Sequence, residues 1–200
     1  MKDLVKELTQ SGWLTNPRVR RAFLKIDRAD FVPASAKSLA HINEALSIGR
    51  GQTISQPAVV AFMLGLLDPR PGQVVLDVGA GSGWQTALLA KLVGIRGKVY
   101  AIEVIPQLCQ LAQENLSHYD FSNIEFICRN ARRGLSKQAP FDGIIAGASA
   151  KGIPESWKRQ LGVGGRLVMP VGTDVVQLRK ISKDKFVKRT YSGFIFVPLV

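Results

Sequence analysis

Three glycines at alternate positions, in Gly79-Ala80-Gly81-Ser82-Gly83, follow the apolar run Val74-Val75-Leu76-Asp77-Val78 and lead into the helical pattern Trp84 to Val93. Alternate glycines permit positive φ and let bare backbone approach a bound molecule, while the helix start beyond them offers unpaired N–H groups. Glu103 ends the next apolar strand, Val99-Tyr100-Ala101-Ile102, where an acid can accept both ribose hydroxyls of a nucleoside cofactor. The turn alone also describes a tight strand-to-helix connection. The cofactor stays open between a dinucleotide and S-adenosylmethionine. A dinucleotide fingerprint, G-x-G-x-x-G, sets its third glycine one residue beyond Gly83 and holds pyrophosphate on the helix N-terminus. Here the spacing is G-x-G-x-G, and Asp77 before the turn would repel a phosphate but attract an amino group, directly or through water. These features favour S-adenosylmethionine.

The elements that must position these residues alternate. Strand 74–78, helix 84–93, strand 98–103, helix 106–116, strand 124–128, strand 141–147, helix 153–161 and strand 165–171 give the β-α order of a doubly wound, mostly parallel α/β sheet. Ahead of them, 3–11 and 17–26 read as short helices forming a cap, the second with Asn16 as N-cap and Pro17 at its first position. Residues 29–56 lose all period and read as a long loop, ending in IGRGQTISQP. Pro57 opens a helix to Leu67. The tail, 175–181 and 186–200, alternates Lys and Arg with apolar residues, as an antiparallel hairpin at a sheet edge would. By the ligand rule for open sheets, the site collects 77–83, Glu103, the 129–131 turn and the 146–149 turn beyond the strand ends.

Composition sets the frame. At 200 residues, 46% hydrophobic and 21% charged, the chain reads as one soluble domain with a substantial core. The N-terminus lacks an apolar stretch of signal-peptide type, and no window of ~18 apolar residues is uninterrupted, so the expected address is the cytoplasm, with no membrane span. Cys109 and Cys128 lie far apart with only two histidines beside them, which argues against zinc and against a disulfide framework and leaves both as core thiols. The net charge of +12 is spread along the chain, from Arg18, Arg20, Arg21, Lys25 and Arg28 to Lys188 and Arg189, without the interleaved aromatics of a stacking platform; solvated faces are the expected reading.

VVLDVGAGSGWQTALLAKL followed by VYAIEVIPQLCQLAQENL resembles the class I methyltransferases of Rossmann-like fold, and GQTISQP is similar to the signature of one family among them, the protein-L-isoaspartate O-methyltransferases. NPRVRRAFLKIDRADFVP, FDGII, GGRLVMPVG and the terminal FVPLV have counterparts in the same order, so the resemblance runs nearly end to end. It implies methyl transfer from S-adenosylmethionine, leaving S-adenosylhomocysteine, to the free carboxylate of L-isoaspartyl residues in damaged proteins; a monomer without a metal is the expectation beside it. It divides one domain, 1–200, into a cap with the active-site loop (1–56) and a cofactor-binding core (57–200). Residue by residue, it makes Ser55 the active-site serine, orienting the substrate carboxylate. Thr53 and Ile54 become backbone contacts near the cofactor, Asp77 and Gly79 to Gly83 the glycine motif, Glu103 the ribose acid and Val104 a wall of the adenine pocket. The plainer expectation for Ser55 is a cap on the helix starting at Pro57, and for Asp77 a brace of the turn through backbone N–H groups.

Departures cluster around the same place. The family's G-D-G after the third strand is here Arg129-Asn130-Ala131, which makes Asn130 the acceptor expected for the adenine amino group. The aromatic-x-Asp pattern reads His41-Ile42-Asn43, the V-T-A-A turn reads Ala146-Gly147-Ala148-Ser149, and Trp84 stands where tyrosine is common. Two alternatives follow: a degenerate relative that binds the cofactor without isoaspartyl activity, and a methyltransferase acting on another substrate such as nucleic acid. The second is disfavoured by the absence of an N/D-P-P-Y type of segment and of a Pro-Cys nucleophile.

Overall fold

The computed structural model describes residues 1–199; Val200, the last residue of the tail pattern, lies outside them. Helix α1 (Lys2–Gln10) buries Leu4, Val5 and Leu8, and α2 (Pro17–Lys25) buries Val19, Ala22 and Phe23. Asn16 caps α2 by accepting the Arg18 N–H through Oδ1 at 2.9 Å. The expected aperiodic loop then proves to have structure. Two 3-10 turns (Arg28–Phe31 and Ala34–Leu39) precede a small antiparallel hairpin, β1 (Leu46–Gly49) with β2 (Gln52–Ile54). Strands of three and four residues are too short to show a period, and the hairpin is made by three successive left-handed residues, Gly49, Arg50 and Gly51.

Helix α3 (Pro57–Leu67) ends at Asp68 in the left-handed region. The Asp68 carboxylate accepts from Asn16, Arg18 and Arg70 and pairs with Arg166, tying the cap to the sheet. Then come β3 (Val74–Val78), α4 (Trp84–Val93), β4 (Lys98–Glu103), α5 (Pro106–Ser117), β5 (Ile124–Cys128), β6 (Phe141–Ala146), α6 (Glu155–Gln160), β7 (Leu161–Val171), β8 (Asp174–Lys180) and β9 (Phe186–Ser192). Among the described residues they form a seven-stranded sheet in the order β5-β4-β3-β6-β7-β8-β9, parallel from β5 to β7 and antiparallel from β7 to β9.

Alternate residues of the central strands feed two cores. Val75, Val99, Ile145 and Val168 face α1 to α4, while Leu76, Ile102, Ile144 and Leu167 face Trp157 of α6. Burial on both faces explains why β3 reads as an apolar run broken only by Asp77. The chain moves outward from β3 in both directions, through β4 on one side and β6 on the other, so a crevice opens where these neighbours diverge.

Four readings need correction. β7 starts at Leu161, because Gly162 to Gly165 form an irregularity inside the strand, where the partners shift from Phe141↔Leu161 to Gly143↔Arg166. The tail is strand only to Ser192; 193–199 runs back over the sheet ends, with Ser149 N–H donating to Val197 O and Leu199 N–H to Ser149 O. Cys109 is buried but Cys128 is exposed. Arg28, expected on a solvated face, is buried, and so is the basic Lys180, which donates to the carbonyls of Lys158 and Leu161.

Candidate active site

Gly79, Gly81 and Gly83 all take positive φ, at 71°, 56° and 93°. The turn is pinned by main chain: Gly79 and Ala80 N–H donate to Ile102 O at 2.8 and 3.1 Å, and Gly83 N–H to Ala80 O at 2.9 Å. Glu103 completes it. Its buried carboxylate accepts from Gly81 N–H at 2.9 Å through Oε2, and from Val104 and Ile105 N–H at 2.8 and 3.0 Å through Oε1. One acid therefore holds the glycine turn and its own strand end together. Gly147, just past the end of β6, presses on the same turn: a Cβ there would stand 2.9 Å from Gly79 O, closer than such atoms tolerate.

Asp77 differs from both roles expected of it. It is fully buried, and its oxygens accept from Thr86 Oγ1 at 2.6 Å and Gln85 Nε2 at 2.7 Å, side chains in the first turn of α4 rather than backbone N–H groups. Burial raises its pKa to about 6, against the lowering effect of those two hydrogen bonds and helped by the Glu103 charge. Gln85, not Asp77, faces the cavity.

Three cavities meet here. The first is lined by Gly79, Gly81, Glu103, Val104, Arg129 and Ala131, with Val197 to Leu199 of the tail. The second is small and lies under Ile54, Ser55, Gly79 to Ser82, Trp84 and Gln85. The third is an open groove between Trp13, Glu44, Ser55, Val59 and the tail from Gly193 to Val197. Thr53 and Gly147 line all three, and Ser55 lines the last two.

Ser55 does not cap α3. The helix has no side-chain cap from its N-cap residue, and Asn43 supplies one from outside: its Oδ1 accepts Ala58 N–H at 3.0 Å, while Gln56 Nε2 donates to Asn43 O at 2.8 Å. Among the described residues the Ser55 hydroxyl has no hydrogen bond, which leaves it to the cavities it lines. Asn130 is exposed, its Oδ1 accepts from Arg132 N–H at 2.9 Å, and its neighbours Arg129 and Ala131 are the ones at the cavity wall. Gly83 starts α4 with its face packed toward Leu116, away from the cavities.

A family model described as protein-L-isoaspartate(D-aspartate) O-methyltransferase (PCMT) matches residues 1–200. The chain belongs to this family. It is 42% identical to the protein-L-isoaspartate O-methyltransferase of Aeropyrum pernix, over 98% of this chain and 78% of that one, and 40% identical to that of Methanopyrus kandleri, over 98% and 89%. Its fold matches a Plasmodium falciparum protein-L-isoaspartate O-methyltransferase solved with S-adenosyl-L-homocysteine, at TM-score 0.89 and 25% identity, covering 100% of this chain and 97% of that one.

Beyond the residues anticipated in this family's site, the structure adds Trp13, Glu44 and 193–197 as groove walls, 197–199 on the first cavity, Gln85 as the cavity-facing partner of Asp77, and Arg28 beneath the loop. Trp13 and Glu44 carried no sequence signal; Arg28, Gln85 and 196–199 lie inside segments that resemble the family, but nothing in those segments marks them as site residues.

Proposed function

We propose that the protein transfers a methyl group from S-adenosylmethionine to the free carboxylate of L-isoaspartyl residues in damaged proteins. The observation that carries this reading is the meeting of the three cavities at Thr53 and Gly147, with a hydroxyl, Ser55, that no other group occupies.

The residues present fit the cofactor and not a dinucleotide. Gly81 N–H, a donor a pyrophosphate would need, already serves Glu103, and the carboxylate beside it repels phosphate. In our reading Glu103, with lone pairs remaining after its three N–H partners, accepts from the ribose hydroxyls, and Val104 walls the adenine side. Gly79, Ala80, Gly81 and Ser82 offer bare backbone, Gly83 sets the start of α4, and Thr53 and Ile54 close the wall toward the groove. Asp77 acts through Gln85 and Thr86, and Asn130 braces the turn that presents Arg129 and Ala131.

Bound S-adenosylmethionine supplies an electrophilic methyl group. A main-chain-type carboxylate has a pKa of about 3.5 and is ionised near neutral pH, so no general base is required of the protein. What the chain supplies is orientation and exclusion of water: Ser55 donates a hydrogen bond that aligns the carboxylate at the junction, and the tail residues 193–197 with Trp13 shield the groove.

We take residues 1–200 as one domain, cap on core, since the cap helices share a hydrophobic core with the sheet. Among the described residues no helix is long and apolar enough to cross a membrane. A cytoplasmic monomer is part of the same proposal. The test is incubation with labelled S-adenosylmethionine and matched isoaspartyl and aspartyl peptides. A base-labile methyl ester on the isoaspartyl peptide is expected; its absence, with tight S-adenosylhomocysteine binding by calorimetry, would reduce the protein to a cofactor-binding module.

A further inference from the structure

Arg28 is fully buried, and among the described residues no carboxylate meets it. Its guanidinium addresses carbonyls instead. Nη1 donates to Ala40 O at 2.9 Å and Ile42 O at 3.4 Å; Nη2 donates to Glu44 O at 2.8 Å, Ser55 O at 3.2 Å and Ile54 O at 3.5 Å. Nε finds no acceptor, and the group lies 5.4 Å from the Trp84 ring centroid, a cation–π contact. Burial lowers its pKa to about 10, which leaves it a cation at neutral pH.

These five carbonyls come from two segments, 40–44 and 54–55, on either side of the β1–β2 hairpin. One side chain therefore closes the base of the whole loop, and one of its anchors is the peptide oxygen of Ser55 itself. A buried cation without a counter-ion is costly, and a position needed only for packing is filled more cheaply by an apolar side chain. The planar fork of arginine reaches several acceptors at fixed spacing, which a lysine ammonium cannot.

We propose that Arg28 is the positioning residue of the active-site loop, fixing the Ser55 hydroxyl where the groove meets the small cavity under the glycine turn by holding Ser55 and the 40–44 segment through their carbonyls. This rests on the reading of Ser55 as the group that orients the substrate carboxylate. Charge and geometry separate kinetically. Carboxylate and sulfonium neutralise each other during transfer, so a nearby positive charge acts mainly on binding the anion, whereas a misplaced hydroxyl lowers the rate of the bound complex.

The experiment compares wild type, Arg28→Lys, Arg28→Met and Ser55→Ala by hydrogen exchange and by kcat and KM on an isoaspartyl peptide, with and without millimolar guanidinium. Arg28→Lys is expected to keep KM and S-adenosylhomocysteine affinity within about twofold and to lower kcat about tenfold or more. In both Arg28 variants protection should fall in 40–56 while 74–103 keeps its own, and added guanidinium should restore part of the turnover of Arg28→Met but none of Ser55→Ala. Wild-type exchange in 40–56, or wild-type kcat in both variants, would overturn the proposal, and so would equal loss of protection in 74–103. If the wild-type protein leaves the peptide unmethylated, the reading of Ser55 fails on its own, and the exchange data still decide whether Arg28 holds the loop.

Discussion

The two segments that meet at the cavity junction are held by opposite means. The glycine turn, 79–83, is fixed by backbone: left-handed glycines, three main-chain hydrogen bonds and a single acid at the adjoining strand end. The 40–56 loop is fixed by side chains that come from elsewhere or cross it, Arg28 on five carbonyls and Asn43 on the first turn of α3. A turn made of backbone tolerates few sequences and so is visible in the sequence. A loop made by remote donors is free in its own composition, and only the donor is constrained.

The contrast can be broken at several points. The largest effect is expected at Ser55: Ser55→Ala should lower methyl transfer about 100-fold while S-adenosylhomocysteine affinity, read by calorimetry, stays near wild type, because orientation is lost and the turn is untouched. Loss of affinity with turnover retained would reverse the assignment of the two segments.

Next is Asp77, which sits beneath the turn and holds the first turn of α4 through Gln85 and Thr86. Its folded pKa of about 6 stands above the ordinary 3.8, so the native state binds the proton more tightly than the unfolded one. Ionisation of this group therefore costs stability as pH rises from about 4 to about 6, and the full cost, up to about 3 kcal/mol, persists above that. Asp77→Asn should be more stable than wild type at pH 7.5, with the advantage shrinking through pH 6 and gone near pH 4; calorimetric scans across that range check it. A variant less stable at pH 7.5 would show that the two hydrogen bonds outweigh burial.

Glu103→Gln comes third. An amide has one oxygen for three backbone N–H groups and turns an NH₂ toward one of them, so cofactor affinity should fall about tenfold. Unchanged S-adenosylhomocysteine binding would mean that the glycines hold the turn unaided. Smallest is Asn43→Ala, which removes the remote cap of α3 and should cost about 1 kcal/mol in denaturant unfolding. No change would show that water replaces it and that the loop depends on Arg28 alone.

The legibility of the molecule follows the same division. β3, α4, β4, β5 and the opening of α5 at Pro106 fall where periodicity and the glycine turn place them, since strands buried on both faces and helices opened by Pro or Gly carry their limits in local composition. The irregularity at Gly162–Gly165 was hidden because glycines read as a turn whether or not a strand continues through them. Asn43 looked like a loss from a family pattern, yet it is a cap, because capping depends on where the chain returns and not on the neighbouring residues. Arg28 was unreadable for the same reason: a buried arginine differs from an exposed one only in what surrounds it.

The wall shared at Thr53 and Gly147 has a use for ligand chemistry. Thr53 and Gly147 line both the crevice beside Glu103 and the groove, so a ligand in one and a ligand in the other would end at the same pair of residues. A single molecule with a nucleoside-like end and an isoaspartyl-like end joined at that wall makes the second binding event intramolecular, and such linkage raises avidity by about 10²- to 10⁴-fold over either half.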